Sequence, residues 1–243
     1  MRIGLVSRTD RKEAIHLISE IADNLSHHDL FYDRDLSPFL KGPSIEDVDV
    51  LVVVGGDGTI LRTVRKYSFP ILAVKMGRCG HLCEVAPAEV SVLEDLLKDH
   101  AVDQRMKLEI PGVGEALNEV VVRSVIPDKV ARFRIEYGEY RNMVAGDGII
   151  VATPTGSTAY SQAAGGPIIE DCCPVFCITP ICSFDSLSFP RVVSCEHTIT
   201  ITVLDRLCHM TLDGDDPADL NVGESIVVRK SSNSAVFWRK KAV

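Results

Sequence analysis

The run "VDVLVVV" at 48–54, followed at once by Gly55, Gly56, Asp57, Gly58 and Thr59, constrains the fold more than any other stretch. It is apolar at every position but Asp49, so both faces of the strand it forms must be covered. Such strands belong inside parallel sheets flanked by helices, and the glycines allow a sharp turn into a helix expected from Thr59. The surrounding pattern agrees. Residues 2–7 read as a strand, and a helix follows in which Ala14, Ile15, Leu17, Ile18, Ile21, Ala22 and Leu25 recur at helical spacing, with Asp10 as its expected cap. A polar connection at 33–47, holding Pro38 and Pro43, leads to the 48–54 strand, and "FPILAVK" (69–75) supplies another strand beyond the helix. The first third is therefore read as α/β.

The period then changes. Pro87 is expected to start a helix carrying Val90, Leu93, Leu96 and Leu97, and beyond Val102 alternation takes over. "ALNEVVVRSV", "ARFRIEYGEYRNMVAGDGIIVAT", "HTITITVL" and "SIVVRK" read as strands separated by tight turns, a sandwich or meander with a boundary near residue 99; "AVFWRK" closes the chain as a last strand.

Several function classes are excluded at this level. With 46% hydrophobic and 25% charged residues among 243, the chain can bury a sizeable core. A net charge of −8 argues against nucleic acid as a partner. The opening "MRIGLVSRTDRKEA" has no signal-peptide core, and no apolar run approaches the roughly 20 residues of a membrane span, so a cytoplasmic protein without a membrane partner is expected. The eight cysteines form no C-x-x-C pair, and most read as small buried hydrophobes; Cys79, His81 and Cys83 alone do not complete a zinc site. His16, His27, His28, His100, His197 and His209 have no convergent partner in the sequence and read as solvated or core histidines. "DGDDPADLNVGE" (213–224) has the carboxylates of a calcium loop, but Pro217 occupies a ligand position, leaving an acidic hairpin turn.

The chemistry gathers in three places. Neither G-x-x-x-x-G-K-[ST] nor G-x-G-x-x-G occurs, yet glycines at a strand end and the free N–H groups of the following helix suit an anion; a local cap made by Asp57 is the plainer account of that turn. The segment "GDGIIVATPTGSTAYSQAAGGP" (146–167) offers hydroxyls and exposed backbone amides at Thr155, Gly156, Ser157 and Thr158, and a ring at Tyr160 to set against a base; the alternative is a glycine-rich turn capped by Ser157. Asn118 and Glu119 interrupt an apolar strand with polar groups that need partners, a sugar diol or a β-bulge.

In order along the chain, GGDGT at 55–59, "MGRCGHL" at 76–82, "LNEVVV" at 117–122, the 146–167 segment, "PIC" with "SLSF" at 180–189 and "LDGD" at 212–215 resemble NAD kinases. GGDGT is shared with diacylglycerol and sphingosine kinase relatives, whereas the 146–167 motif is specific. The resemblance implies phosphorylation of the adenosine ribose 2′-hydroxyl of NAD by ATP or polyphosphate, with Mg²⁺ or another divalent metal, in a homodimer or homotetramer. It implies a Rossmann-like α/β domain over 1–98, a β-sandwich domain over 99–230, and a tail, 231–243, returning to the first. By the same resemblance Asp57 matches the catalytic aspartate, and Gly55, Gly56, Gly58 and Thr59, grouped with Arg62, match the phosphate side. Asn118 and Glu119 match the dinucleotide-holding pair, Asp147 a nicotinamide-side aspartate, and Thr155, Thr158, Ala159 and Tyr160 the lining of the NAD pockets, partly across subunits. This chain departs from the family at Lys75, at His81, in "PICSFDSLSF", where Asp185 accompanies one additional residue and the histidine is missing, and at Asp215. A lipid or other small-hydroxyl kinase, or a non-catalytic NAD(P)-binding sensor, are the alternatives.

Overall fold

The computed structural model, which describes residues 1–76, 80–127, 129–184 and 189–241, divides the chain into two units: 1–104 with 235–243, and 105–234. The first unit runs β1 (Arg2–Ser7), α1 (Lys12–Asn24), β2 (Asp29–Tyr32), β3 (Val50–Gly55), α2 (Asp57–Lys66), β4 (Ile71–Lys75), α3 (Leu93–Lys98) and the start of β5 (Ala101–Ile110). Its strands pair in parallel in the order β2–β1–β3–β4. As the 48–54 run demanded, Val50, Leu51, Val52, Val53 and Val54 are all fully buried. The expected face of α1 is inside at Ala14, Leu17, Ile18, Ile21 and Ala22.

Three local expectations are corrected. Asp10 does not cap α1: its carboxylate is taken by Arg8, whose Nε donates to it at 2.7 Å, and Arg11 holds the cap position without a side-chain bond. The helix after β3 begins at Asp57 rather than Thr59, because extended Gly56 serves as the N-cap residue. Pro87 opens a 3₁₀ turn, Pro87–Val92, before α3 proper. The polar 33–47 connection is anchored: buried Asp33 accepts from Lys66 Nζ at 2.6 Å and Tyr67 Oη at 2.7 Å. Burial alone would raise the Asp33 carboxyl, but these two donors outweigh it and hold it below the ordinary range.

The second unit contains β6 (Gly114–Ala116), β7 (Glu119–Ser124), β8 (Ala131–Tyr137), β9 (Tyr140–Gly146), β10 (Gly148–Ala152), the short α4 (Tyr160–Ala163), β11 (Val175–Ile181), β12 (Arg191–Ser194), β13 (Ile199–Val203), β14 (Cys208–Leu212), β15 (Asp215–Leu220) and most of β16 (Ser225–Arg239). One antiparallel layer is ordered β9–β8–β13–β16, the other β12–β11–β10–β7–β14–β15. Between them lies a single core, with Val120, Val122, Ile149 and Phe176 from one layer and Phe133, Ile135, Ile199 and Ile226 from the other. The opposite face of the six-stranded layer, at Val121, Ile150, Ala152 and Cys177, is covered by the segment carrying Ala164 and Ile169. Covering on both faces explains why "EVVV" and "GIIVA" are continuously apolar rather than alternating.

From Ala235 onward β16 belongs to the first unit. There Phe237, fully buried, pairs in parallel with Ile71, and Trp238 stacks on His100 with ring centroids 3.8 Å apart. Among the described residues no helix is long and apolar enough to cross a membrane.

Candidate active site

In the first unit the site is built on the carboxyl end of β3. A Cβ at Gly55 would stand 2.5 Å from the Thr59 side chain, so only glycine lets the first turn of α2 sit directly over the strand end. Thr59 is buried there. Gly58 is different: among the described residues a Cβ would meet nothing within 4 Å.

Asp57, at the first position of α2, does not fold back to cap that helix. Its carboxylate accepts from the backbone N–H groups of His81, at 3.2 Å, and Leu82, at 3.1 Å. Two of roughly four lone-pair positions are thus occupied, fixing the carboxylate while leaving it acceptor capacity. The departure at His81 therefore touches Asp57 through its main chain, its own side chain being exposed. Beside it the Cys83 Sγ faces the Gly55 carbonyl at 3.5 Å, and burial together with the Asp57 charge pushes this thiol up to about 11, so it stays neutral. The 82–84 segment is held by the tail: Arg239 Nη1 donates to the Leu82 carbonyl at 2.8 Å, and its Nε to Asp103 at 3.1 Å. Cys79, with Gly77 and Arg78, lies outside the described residues, as does the 185–188 piece containing Asp185.

Arg62, in the second turn of α2, lines a hollow of about 440 Å³ with Ser7, Arg8, Thr9, Asp10 and Asp35, and a smaller one of about 140 Å³ that reaches Asp33, Thr59 and Lys66. Both lie beyond the carboxyl end of β1, where open parallel sheets take their ligands.

In the second unit the strand residues form a tight polar cluster. Asn118 and Glu119 are 8% and 7% exposed. The carboxylate of Asp213, in the β14–β15 turn, accepts from the N–H groups of Leu117 at 2.8 Å, Asn118 at 2.8 Å and Glu119 at 3.1 Å, while the Asp213 N–H donates to the Glu119 carbonyl at 3.0 Å. On the other side Thr153 N–H donates to the Asn118 carbonyl at 2.8 Å, and the Thr153 hydroxyl to the Leu117 carbonyl at 2.5 Å. Gly156 packs so closely that a Cβ would stand 2.1 Å from the Asn118 carbonyl oxygen. Asp213, Thr153 and Gly156 are thus the residues that set the main chain of the Asn118–Glu119 pair. Asp213 was read from sequence as part of an acidic turn and of the "LDGD" motif, with no role of its own; in the structure its backbone is left-handed, φ 51°, in that turn.

The polar segment 155–160 is less open than its composition suggests. Thr155, Gly156 and Ser157 are buried, not exposed. The Thr155 hydroxyl donates to Asp171 at 3.2 Å and accepts from Arg105, and the Ser157 hydroxyl accepts from Ile169 N–H at 2.9 Å, so these two groups brace the segment. The Thr158 hydroxyl returns to the Thr155 carbonyl at 3.2 Å, and Ala159 N–H to the Gly156 carbonyl at 2.9 Å. Tyr160 is the exposed member, and its backbone N–H reaches the Glu119 carboxyl. Asp147 is not part of this cluster: it sits before β10, whose other end, Ala152, pairs with Glu119, so the strand puts about 16 Å between them.

Glu119 is the strained group of the cluster. Among the described residues its buried Oε2 has no hydrogen-bond partner. Burial first, and the charge of Asp213 second, push its carboxyl up to about 8, against the weaker pull of the Tyr160 N–H. A carboxyl neutral in the folded chain but ionised in the unfolded one contributes stability that is complete below about 4.5 and disappears as pH rises to about 8. The unfolding free energy of the second unit should therefore fall by a few kcal/mol between pH 5 and 8, and Glu119→Gln should flatten that slope. Denaturant titrations at several pH values check this; an equal slope in both proteins rejects it.

The comparisons with known proteins follow this geometry. The model of the ATP-NAD kinase N-terminal domain matches residues 40–101, and that of the ATP-NAD kinase C-terminal domain residues 117–240. An NAD kinase of Methanothermobacter thermautotrophicus is 36% identical, covering 98% of this chain and 92% of its own. One from Thermococcus gammatolerans is 37% identical, covering 98% and 94%. Among solved structures, an NAD kinase from Archaeoglobus fulgidus in complex with ATP superposes with a TM-score of 0.85 at 30% identity, covering 99% of this chain and 94% of that one.

Proposed function

The chain belongs to the NAD kinase family, and from that membership we propose how its residues divide the transfer of a phosphoryl group from ATP to the adenosine ribose 2′-hydroxyl of NAD. Phosphoryl transfer asks a protein chiefly to align a hydroxyl with a phosphate and to balance charge, so one well-placed base suffices. Asp57 is that base. The observation that carries the reading is its carboxylate, aimed away from its own helix and held by two backbone amides, at the glycine-rich start of α2. The proton of the 2′-hydroxyl passes to a free lone pair of Asp57 as the oxygen attacks the terminal phosphorus of ATP and the bond from that phosphorus to its bridging oxygen breaks, releasing ADP.

The amides opening α2 and the Arg62 and Arg8 side chains around the larger hollow take the phosphates. Asn118 and Glu119 hold a ribose, Tyr160 offers its ring, and Thr158, Ala159 and, just before β10, Asp147 line the rest of the dinucleotide site. Buried Thr155 acts through Arg105 and Asp171, holding the segment rather than touching NAD. A divalent metal fits the oxygen donors present: Asp10 is taken by Arg8, so Asp35 is the carboxylate of the hollow that would hold it, with phosphate oxygens completing the shell. Bound there, Mg²⁺ would neutralise phosphate charge. Ile168, Phe184, Phe189 and Val192 are large exposed apolar side chains of the second unit and support self-association into a homodimer or homotetramer, measurable by light scattering.

The discriminating experiment mixes protein, Mg²⁺ and NAD or NADH with ATP or polyphosphate and detects NADP(H) with a specific dehydrogenase. Binding without product from any donor would favour the non-catalytic sensor. A second test uses Gly58. Because a Cβ there meets no atom of the described residues, Gly58→Ala should keep or raise stability by up to ~1 kcal/mol. It should also weaken ATP on the order of tenfold by filling the space a phosphate approaches. An unchanged KM for ATP would remove Gly58 from the phosphate site.

A further inference from the structure

We propose that His27, His28 and Glu94 form a binding site for a divalent transition-metal ion of the zinc class, separate from the phosphoryl-transfer site. The turn after α1 brings two adjacent imidazoles against α3. His27 Nε2 lies 3.2 Å and His28 Nε2 3.1 Å from the same oxygen, Glu94 Oε2. All three donor atoms fall within 4.8 Å of one another, and the two rings are tilted at 39° with centroids 4.2 Å apart.

These spacings suit an ion. Bonds of about 2.0–2.2 Å to nitrogen and oxygen at a tetrahedral centre place neighbouring ligand atoms ~3.3–3.5 Å apart, so the two nitrogen–oxygen distances need only a few tenths of an ångström of relaxation. The carboxylate is already oriented, because Lys98 Nζ holds its other oxygen, Oε1, at 2.9 Å, a supporting contact of the kind that ligating carboxylates use. The Met1 amino group stands 3.5 Å from His28 Nδ1, the ring atom turned away from the carboxylate, and leaves Nε2 available. Two imidazoles and one carboxylate without a thiolate select zinc, nickel or copper over magnesium or calcium, and three protein ligands leave one position for water. A bound ion would tie the end of α1 to α3, which are 66 residues apart at His28 and Glu94, and stabilise the first unit.

The test is a Zn²⁺ titration by calorimetry of the full chain after chelator treatment, comparing the parent with His27→Gln, His28→Gln and Glu94→Gln. Seven described cysteines are free and take zinc as well, so the difference between proteins is what is read. The parent should show one equivalent whose affinity falls at least about tenfold in each variant, while NADP formation at saturating substrates stays unchanged. His27 is exposed, so its replacement guards against a folding failure at His28. Identical zinc stoichiometry and affinity in all four proteins would overturn the site and leave a hydrogen-bonded His–Glu cluster.

Discussion

Asp57→Asn is expected to lower kcat by about 10²–10⁴-fold while the Kd for NAD stays within about threefold of the parent. The amide keeps the size of the carboxylate, and its carbonyl oxygen can still accept from the His81 or Leu82 N–H, so the start of α2 should remain in place. What is lost is the ability to take a proton from the ribose hydroxyl as the bond to phosphorus forms. Steady-state kinetics of NADP formation, paired with equilibrium NAD binding, separates the two effects. Near-normal turnover would reject Asp57 as the base; an equal loss in binding and turnover would make it a structural residue of the turn.

Asp213→Asn should have the second largest effect, through a residue that is no candidate for chemistry. Its carboxylate satisfies three buried main-chain donors, and hydrogen bonds to a charged acceptor contribute roughly 1.5–3 kcal/mol each. Asparagine offers one acceptor oxygen and turns an NH₂ group toward the remaining donors. A loss of about 3 kcal/mol is expected in the transition of the second unit, roughly 10 °C in Tm. Because the same three amides set the direction of Asn118 and Glu119, the KM for NAD should rise well before kcat falls. Unchanged stability and KM would show that the β14–β15 turn does not position the pair.

How much of this was readable in the sequence depends on the distance over which each contact acts. The β3 run and its glycine turn are local, so strand, turn and helix could be read from ten consecutive residues. The α1 face and the alternating strands of the second unit follow from periodicity alone. The misses are of two kinds. Short, half-exposed β2 gives only four residues of pattern, too few to stand out from a polar connection. Others depend on partners far away in the chain: Asp213 meets Leu117 across 96 residues and His28 meets Glu94 across 66, and nothing local to an acidic turn or a histidine pair announces such a partner. The hydroxyls at Thr155 and Ser157 misled for a related reason: composition showed groups able to bind a ligand, while Asp171, Arg105 and Ile169, brought in by the fold, had already engaged them.

The return of the last strand to the first unit bears on how the enzyme is made. Phe237 fills the place beside Ile71, and Arg239 grips Leu82, whose N–H holds Asp57. A ribosome releases these residues only after all of 105–234, a delay on the order of ten seconds at ordinary elongation rates. Until then the parallel sheet lacks the strand beside β4, and the loop that orients Asp57 lacks its clasp. Completion of the half proposed to carry the base is therefore timed to follow synthesis of the half proposed to hold NAD, and a nascent chain that stalls early carries GGDGT without the strand and clasp around it.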